Sequence, residues 1–76
     1  MKIRVLFFAQ LRELSGEAER FVEAEEGTKT GGLAGRLLHR PGGLPLLYAV
    51  NETFVDENHV LKDQDVLALM TPVSGG

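Results

Sequence analysis

Apolar and polar residues alternate along much of the chain with the period of two that is typical of β-strands. Near the start, Ile3, Val5 and Phe7 fall on one face of such a strand, and Leu6 and Phe8 fall on the other. We expect the first of these faces to contact the core. Similar patterns predict further strands over residues 17–24, 46–50, 53–55 and 66–70.

Two segments predict helices. Residues 9–14 contain good helix formers and end at Ser15-Gly16, and the two leucines of this segment, Leu11 and Leu14, are spaced to face one side. A longer helix is expected over residues 28–40, with Thr28 as its N-cap and Pro41 after its end. Its apolar stripe consists of Leu33, Leu37 and Leu38.

Glycines weaken the longer helix. Gly31, Gly32 and Gly35 lie inside it, and each costs about 1 kcal/mol relative to alanine. The helix therefore depends on packing of its leucines against the sheet, and a start nearer Leu33 is the alternative. The glycines lack the Gly-Lys-Ser/Thr element of a phosphate-binding loop, so a weak helix is the preferred interpretation.

The order of elements predicts an α+β fold, with one main helix packed across one mixed sheet. The ubiquitin-like β-grasp fits this order, and it would place the first and last strands side by side and parallel. Asn51-Glu52 is expected to form a tight turn. Pro72 would stop further ladder pairing. We therefore predict a single domain over residues 1–76, in which 71–76 form a flexible, extended tail.

Composition excludes several classes of protein. The 76 residues contain no cysteine, which excludes disulfides, thiolate metal sites and a cysteine nucleophile. The net charge is −3 and the basic residues are scattered, so no nucleic acid partner is expected. No apolar stretch reaches the roughly 20 residues of a membrane span. The N-terminal segment lacks the pattern of a signal peptide, so a cytoplasmic location is expected.

The sequence ends in Gly75-Gly76. Two glycines make a thin, flexible backbone that fits a narrow channel and can deliver a terminal carboxylate to a catalytic centre. A frayed terminus is the alternative explanation. If the protein handles sulfur, the absence of cysteine leaves this carboxyl group as the plausible carrier.

Four segments together resemble a known family. They are VLFFAQLREL (5–14) followed by Gly16, AVNETFV (49–55), LKDQDV (61–66) and PVSGG (72–76). This set, in this order, resembles the small subunit of molybdopterin synthase, a ubiquitin-like sulfur carrier of the MoaD type. The segments are spread over almost the whole chain.

The resemblance implies a chemistry for the tail. A ubiquitin-activating-like adenylyltransferase would use ATP to adenylate the Gly76 carboxylate, which would then become a thiocarboxylate. Its sulfur would pass to cyclic pyranopterin monophosphate during molybdenum cofactor biosynthesis. Gly75 would give clearance in the channel of the partner.

The resemblance also implies partners. The large subunit of molybdopterin synthase would dock on Phe8, Phe54 and Met70 and receive the tail residues, namely Pro72, Val73 and Ser74, within a heterotetramer. The chain itself would bind no cofactor and no metal. It would have no catalytic activity alone and would act as the sulfur-donating subunit of the transferase.

Other interpretations stay open. A sulfur carrier for thiamine thiazole shares the fold and the tail, although the segment 7–14 favours molybdopterin. A ubiquitin-like protein modifier would join the same activated carboxyl group to a lysine. A pure interaction module would not need the tail. His39 and His59 are far apart in the sequence, so surface histidines are expected rather than a metal or catalytic pair.

Overall fold

The computed structural model describes residues 1–38 and 45–72, which contain five strands and two helices. In chain order these are β1 (Lys2–Phe7), α1 (Gln10–Ser15), β2 (Glu19–Glu23), α2 (Thr30–Leu37), β3 (Leu47–Val50), β4 (Thr53–Val55) and β5 (Val66–Met70). The bounds of β4 and β5 agree with the prediction from the sequence. The strands β1, β2 and β3 are each one to three residues shorter than predicted.

The five strands form one mixed sheet in the order β2-β1-β5-β3-β4. The first and last strands are neighbours at its centre and run parallel, with Val5 level with Leu67 and Phe7 level with Leu69. The other three pairs of neighbouring strands are antiparallel. This is the β-grasp arrangement that the order of elements predicts.

The core lies between this sheet and α2. Ile3, Val5 and Phe7 of β1 are at most 1% exposed, so the predicted core face of the first strand is confirmed. On the other side of the core lie Leu33 and Ala34 of α2 and Leu38, which directly follows the helix. Full burial of a leucine or phenylalanine side chain stabilises a fold by about 1.5–3 kcal/mol, which offsets the weak intrinsic helix propensity of α2.

The predicted start of the main helix at Thr28 is wrong. Lys29 has extended backbone (φ −96°, ψ 156°) because it forms a β-bridge with Val60, so the helix begins only at Thr30. The Thr28 hydroxyl donates a hydrogen bond to the Glu25 carbonyl (2.6 Å), which assigns this threonine to the preceding turn rather than to a cap.

The predicted end of the main helix is also wrong. The helix ends at Leu37, and Leu38 is extended (φ −119°, ψ 126°) with its side chain buried in the core. The continuation to Arg40 and the stop at Pro41 lie outside the described residues.

The short helix begins and ends one residue later than the predicted range 9–14, and it stops at Gly16. Gly16 adopts a left-handed conformation (φ 79°) and donates its N–H to the Arg12 carbonyl (3.0 Å), which closes the C-terminus of α1. Leu11 is fully buried and Leu14 is 43% exposed. With 3.6 residues per turn, positions three apart differ by about 60° around the axis, so both leucines lie on one side of the helix, but only Leu11 is buried in the core.

Candidate docking face and tail exit

Helix α2 covers one side of the sheet. The other side, which we call the open face, carries no helix within residues 1–38 and 45–72. On this face Leu6 lies level with Ala68, Ala68 is opposite Ala49, and Ala49 is opposite Phe54. Paired residues on neighbouring strands point to the same side of a sheet. These four side chains therefore form an apolar row across β1, β5, β3 and β4.

A second apolar row lies at the C-terminal end of β5. Met70 is opposite Leu47 of β3. The Phe8 N–H donates to the Leu69 carbonyl (3.1 Å), which extends the pairing between β1 and β5 by one residue and brings Phe8 level with Met70. Strand β1 itself ends at Phe7, one residue before Phe8, with which the alternating pattern in the sequence ends.

Several of these side chains are exposed. Phe54 is 69% exposed, Phe8 41% and Leu47 40%, whereas Leu6, Ala68 and Met70 are partly buried. Single exposed apolar residues are common on soluble proteins, but a contiguous apolar patch marks an interaction surface. The two rows together make such a patch.

The structure therefore brings Phe8, Phe54 and Met70 onto one face, as strand alternation predicts for Phe8 and Met70. Phe8 and Met70 are neighbours. Phe54 lies three strands from Phe8, about 14 Å across the sheet at a strand spacing of about 4.8 Å, and it is also displaced by two residues along the strands. The three residues are parts of one broad face rather than one cluster.

The exit of the tail lies at the same end of β5 as Phe8 and Met70. Pro72 is exposed and lies two residues beyond β5, outside any strand. Val73, Ser74, Gly75 and Gly76 lie outside the described residues. Their predicted roles remain predictions.

A shallow groove of roughly 490 Å³ crosses the open face. Its lining consists of Arg4, Leu6, Phe8, Asn51, Glu52, Val66 and Ala68. Val66 and Ala68 belong to the central strand β5 and have small side chains. The groove therefore runs between the longer side chains of β1 and the turn that joins β3 to β4.

A partly buried polar network holds that turn against the start of β5. Asp65 is 8% exposed, and its carboxylate accepts hydrogen bonds from the Asn51 side-chain amide (2.9 Å) and from the Lys62 N–H (2.8 Å). Asn51 also exchanges two hydrogen bonds with the backbone of Val66. Sequence reasoning missed this network. The asparagine and the aspartate are 14 residues apart, and only their position in two turns hinted at a contact.

Charges are unevenly placed on the open face. Arg4 forms an ion pair with Glu19 of the edge strand β2. Phe21, which is 62% exposed, lies opposite Arg4 on that same side. The β2 side of the open face therefore combines an ion pair with one exposed aromatic side chain, whereas the two apolar rows lie on β1, β5, β3 and β4.

One carboxyl group away from the groove has a shifted pKa. The Lys2 backbone N–H donates to Asp63 Oδ1 (2.7 Å), and this hydrogen bond, with a weaker one from the Gln64 side chain, lowers the pKa of Asp63. The hydrogen bonds favour the charged form because they are made to the carboxylate. Asp63 therefore ties the turn 61–65 to the first strand.

No group of three or more His, Cys, Asp or Glu residues in the described part of the chain is arranged to hold a metal ion. His59 is partly buried, and His39 lies outside the described residues. No helix in the described ranges is long and apolar enough to cross a membrane.

The model of the ThiS family matches residues 5–76 of the chain. Among curated proteins, the molybdopterin synthase sulfur carrier subunit of Escherichia coli (strain K12) is 39% identical over 80 residues, covering 97% of this chain and 99% of that protein. The protein of the same name from Chlamydomonas reinhardtii is 32% identical over 83 residues, and both chains are covered completely.

Solved structures of similar proteins also match the chain over nearly its full length. A putative molybdopterin converting factor, subunit 1, from Pyrococcus furiosus has a TM-score of 0.79 at 29% identity, with 96% of this chain and 99% of that chain covered. The protein–protein complex of subunits 1 and 2 of the molybdopterin-converting factor from Helicobacter pylori matches with a TM-score of 0.66 at 30% identity, with both chains fully covered. SAMP1 from Haloferax volcanii matches with a TM-score of 0.77 at 25% identity, also with full coverage of both chains.

Proposed function

The chain belongs to the ThiS family, and we propose that it acts as the sulfur-carrier subunit of a molybdopterin synthase. The observation that carries this proposal is the 39% identity to the Escherichia coli sulfur carrier subunit along nearly the full length of both chains. The diglycine at Gly75-Gly76 and the absence of cysteine support it, because sulfur would then travel on the terminal carboxyl group.

In the proposed reaction, the Gly76 carboxylate attacks the α-phosphate of ATP on an adenylyltransferase, and pyrophosphate leaves. The acyl-adenylate has AMP as a good leaving group, which a free carboxylate lacks. A sulfur donor displaces AMP and leaves a thiocarboxylate on Gly76. Gly75 has no side chain, so the backbone beside the reactive group can enter a narrow channel.

The thiocarboxylate is the proposed sulfur donor to cyclic pyranopterin monophosphate. The large subunit of molybdopterin synthase would supply the catalytic side chains, and ATP would be used by the activating enzyme alone. The isolated chain would then have no catalytic activity. The catalytic site of the transferase would be assembled only when the large subunit holds the tail.

The open face is the proposed docking surface for the large subunit. Phe8 and Met70 lie beside the tail exit, and Phe54 extends the apolar patch toward β4. A partner seated on this patch would cover the beginning of the tail at Pro72 and receive Val73 and Ser74. The Helicobacter pylori relative is described as a complex of subunits 1 and 2, which supports a two-subunit assembly. A heterotetramer is the proposed stoichiometry.

Intact mass spectrometry tests the proposal. The chain is incubated with the adenylyltransferase of the same organism, ATP and a sulfur donor. The expected result is a mass increase equal to the exchange of one oxygen for sulfur, located in the C-terminal peptide. A variant that lacks Gly76 is the matched control and should stay unmodified. An unchanged mass of the full chain with an active adenylyltransferase would refute the proposal.

A second candidate function is ubiquitin-like protein modification. The likeness to SAMP1 of Haloferax volcanii favours it, because another structure of that protein is described as small archaeal modifier protein 1. In this case the activated Gly76 would form an isopeptide bond with a lysine amine. Conjugates of higher mass that disappear on deletion of Gly76 would support this function. Co-purification with a thiazole synthase instead of the large subunit would favour the thiamine alternative.

A further inference from the structure

Glu52 occupies a strained position at the edge of the groove. Asn51 (φ 50°) and Glu52 (φ 70°) form the two-residue connection between β3 and β4, and both have positive φ. A type I′ hairpin turn requires this conformation, and glycine is favoured at its second position. Asparagine is one of the few residues other than glycine that are enriched at positive φ, whereas glutamate is not. The fold alone would therefore favour glycine at position 52.

The structure offers no internal compensation for this strain. Glu52 is exposed, and it makes no ion pair or side-chain hydrogen bond with another residue of the described ranges. Asn51, in contrast, is engaged with Asp65 and Val66. Strained residues that do not stabilise their own fold are candidates for a functional role.

The charge of Glu52 is also unmatched within the groove. Arg4 lines the same groove, but its guanidinium is paired with Glu19. The groove thus has a floor of small apolar side chains, Val66 and Ala68, with one unpaired carboxylate at its edge. A complementary surface would place an apolar side chain over the floor and a basic side chain at the edge.

We propose that Glu52 is a docking residue that pairs with a Lys or Arg side chain of the large subunit, next to an apolar side chain that this subunit places over Val66 and Ala68. The groove shares Phe8 with the proposed docking surface, so the contact is continuous with it. The inference rests on the proposed function, and the test below separates the two.

The test compares stability and affinity in the same variants. Glu52→Gln removes only the charge, whereas Glu52→Gly removes the charge and relieves the positive φ. Gln64→Gly is the matched control, because Gln64 also has positive φ (71°) and is exposed, but does not line the groove. Affinity for the large subunit of the same organism is measured by calorimetry at about 0.05 M and about 0.5 M NaCl. The higher salt concentration shortens the Debye length and so weakens an exposed ion pair.

Both glycine variants should raise Tm by a few degrees. Only the substitutions at position 52 should weaken binding, by roughly three- to tenfold at low salt, because one interfacial ion pair is lost. The salt dependence of Kd should be smaller for Glu52→Gln and Glu52→Gly than for the wild-type chain. Gln64→Gly should bind like the wild-type chain.

Other outcomes overturn the inference. If Glu52→Gln binds like the wild-type chain while Phe8→Ala loses affinity, the carboxylate is not recognised, but docking through the open face stands. If neither Phe8→Ala nor the Glu52 variants change Kd, the docking surface itself is wrong. If Gln64→Gly weakens binding as much as Glu52→Gly, the loss reflects altered turns rather than a contact of Glu52.

Discussion

Substitution of the three glycines of α2 by alanine should lower the stability of the fold at Gly31 and raise it at Gly32 and Gly35. A Cβ at Gly31 would lie 2.8 Å from Glu57 Cβ and 3.0 Å from the Glu57 carbonyl oxygen, to which the Gly31 N–H is bonded (2.9 Å). A Cβ at Gly32 or Gly35 would meet no heavy atom within 4 Å. Gly31 therefore permits a close approach to Glu57, whereas the other two glycines only weaken the helix.

The magnitudes follow from these surroundings. Gly35→Ala lies within the helix and should stabilise the fold by about 0.5–1 kcal/mol, since alanine has the higher helix propensity and restricts the unfolded chain. Gly32→Ala should have the same sign and about 0.4–1 kcal/mol. Gly31→Ala should destabilise by about 1–3 kcal/mol, because backbone and Cβ atoms of Glu57 must move.

Thermal unfolding followed by circular dichroism measures the three effects. For a domain of this size, 1 kcal/mol corresponds to a Tm shift of about 4–8 °C, so the variants are well resolved. Urea unfolding with an unchanged m-value would show that stability, not compactness, has changed. A stabilised Gly31→Ala variant, or a destabilised Gly35→Ala variant, would refute the reasoning. Affinity for the large subunit serves as a control and should stay the same, because α2 lies on the opposite side of the sheet from the open face.

Three further predictions concern single residues. Phe54→Ala should lower the affinity for the large subunit roughly tenfold and change Tm by only a few degrees. Phe7→Ala, in the core, is the control and should lower the free energy of unfolding by about 3–5 kcal/mol, so that much of the sample unfolds. Equal losses of Tm in the two variants would contradict the assignment of Phe54 to the surface. Asp65→Ala leaves two donors of the turn network without their acceptor and should cost about 1–3 kcal/mol in urea unfolding, and an unchanged midpoint would refute a stabilising network. The pKa of Asp63 is lowered in the folded state, so its carboxylate stabilises the fold above the unfolded pKa of about 4, and this contribution is lost as pH falls through the folded pKa. The difference in unfolding free energy between the wild-type chain and Asp63→Asn should therefore shrink between pH 5 and pH 2, at about 0.1 M salt, and a difference that grows toward low pH would have the wrong sign.

Alternation along the strands predicted more of the fold than helix signals did. Ile3, Val5 and Phe7 face the core, and Phe8 and Met70 face the other side, because a strand fixes the direction of each side chain by its position alone. The start of α2 was predicted wrongly because a distant contact decides it. Lys29 is held in an extended conformation by Val60, and nothing near position 29 in the sequence encodes that pairing.

The groove and its network were harder to predict for the same reason. Asn51 and Asp65 are each ordinary turn residues, and only the pairing of β3 with β5 brings them within 2.9 Å. The lining of the groove depends on Val66 standing level with Arg4 and Ala68 level with Leu6, which is a matter of strand register. Local periodicity excludes a shift by one residue, which would reverse every side chain, but a shift by two residues keeps the same faces, so the periodicity does not determine which residues pair.

The position of the tail exit constrains where a partner must hold its reacting group. Pro72 follows the C-terminal end of β5, where Phe8 and Met70 also lie. A subunit bound to the open face would therefore lie next to the first residues of the tail. Four residues separate Pro72 from the terminal carboxylate, and even a fully extended chain spans at most about 14 Å over that length. If the Gly76 carboxylate is the reactive group, the substrate must bind within this distance of Pro72. Lengthening the tail by two glycines after Pro72 should therefore preserve the affinity that the open face provides but lower the rate of sulfur transfer, because the Gly76 thiocarboxylate would no longer be held at the reacting position. An unchanged rate would show that the partner positions the terminal residues independently of the docked domain.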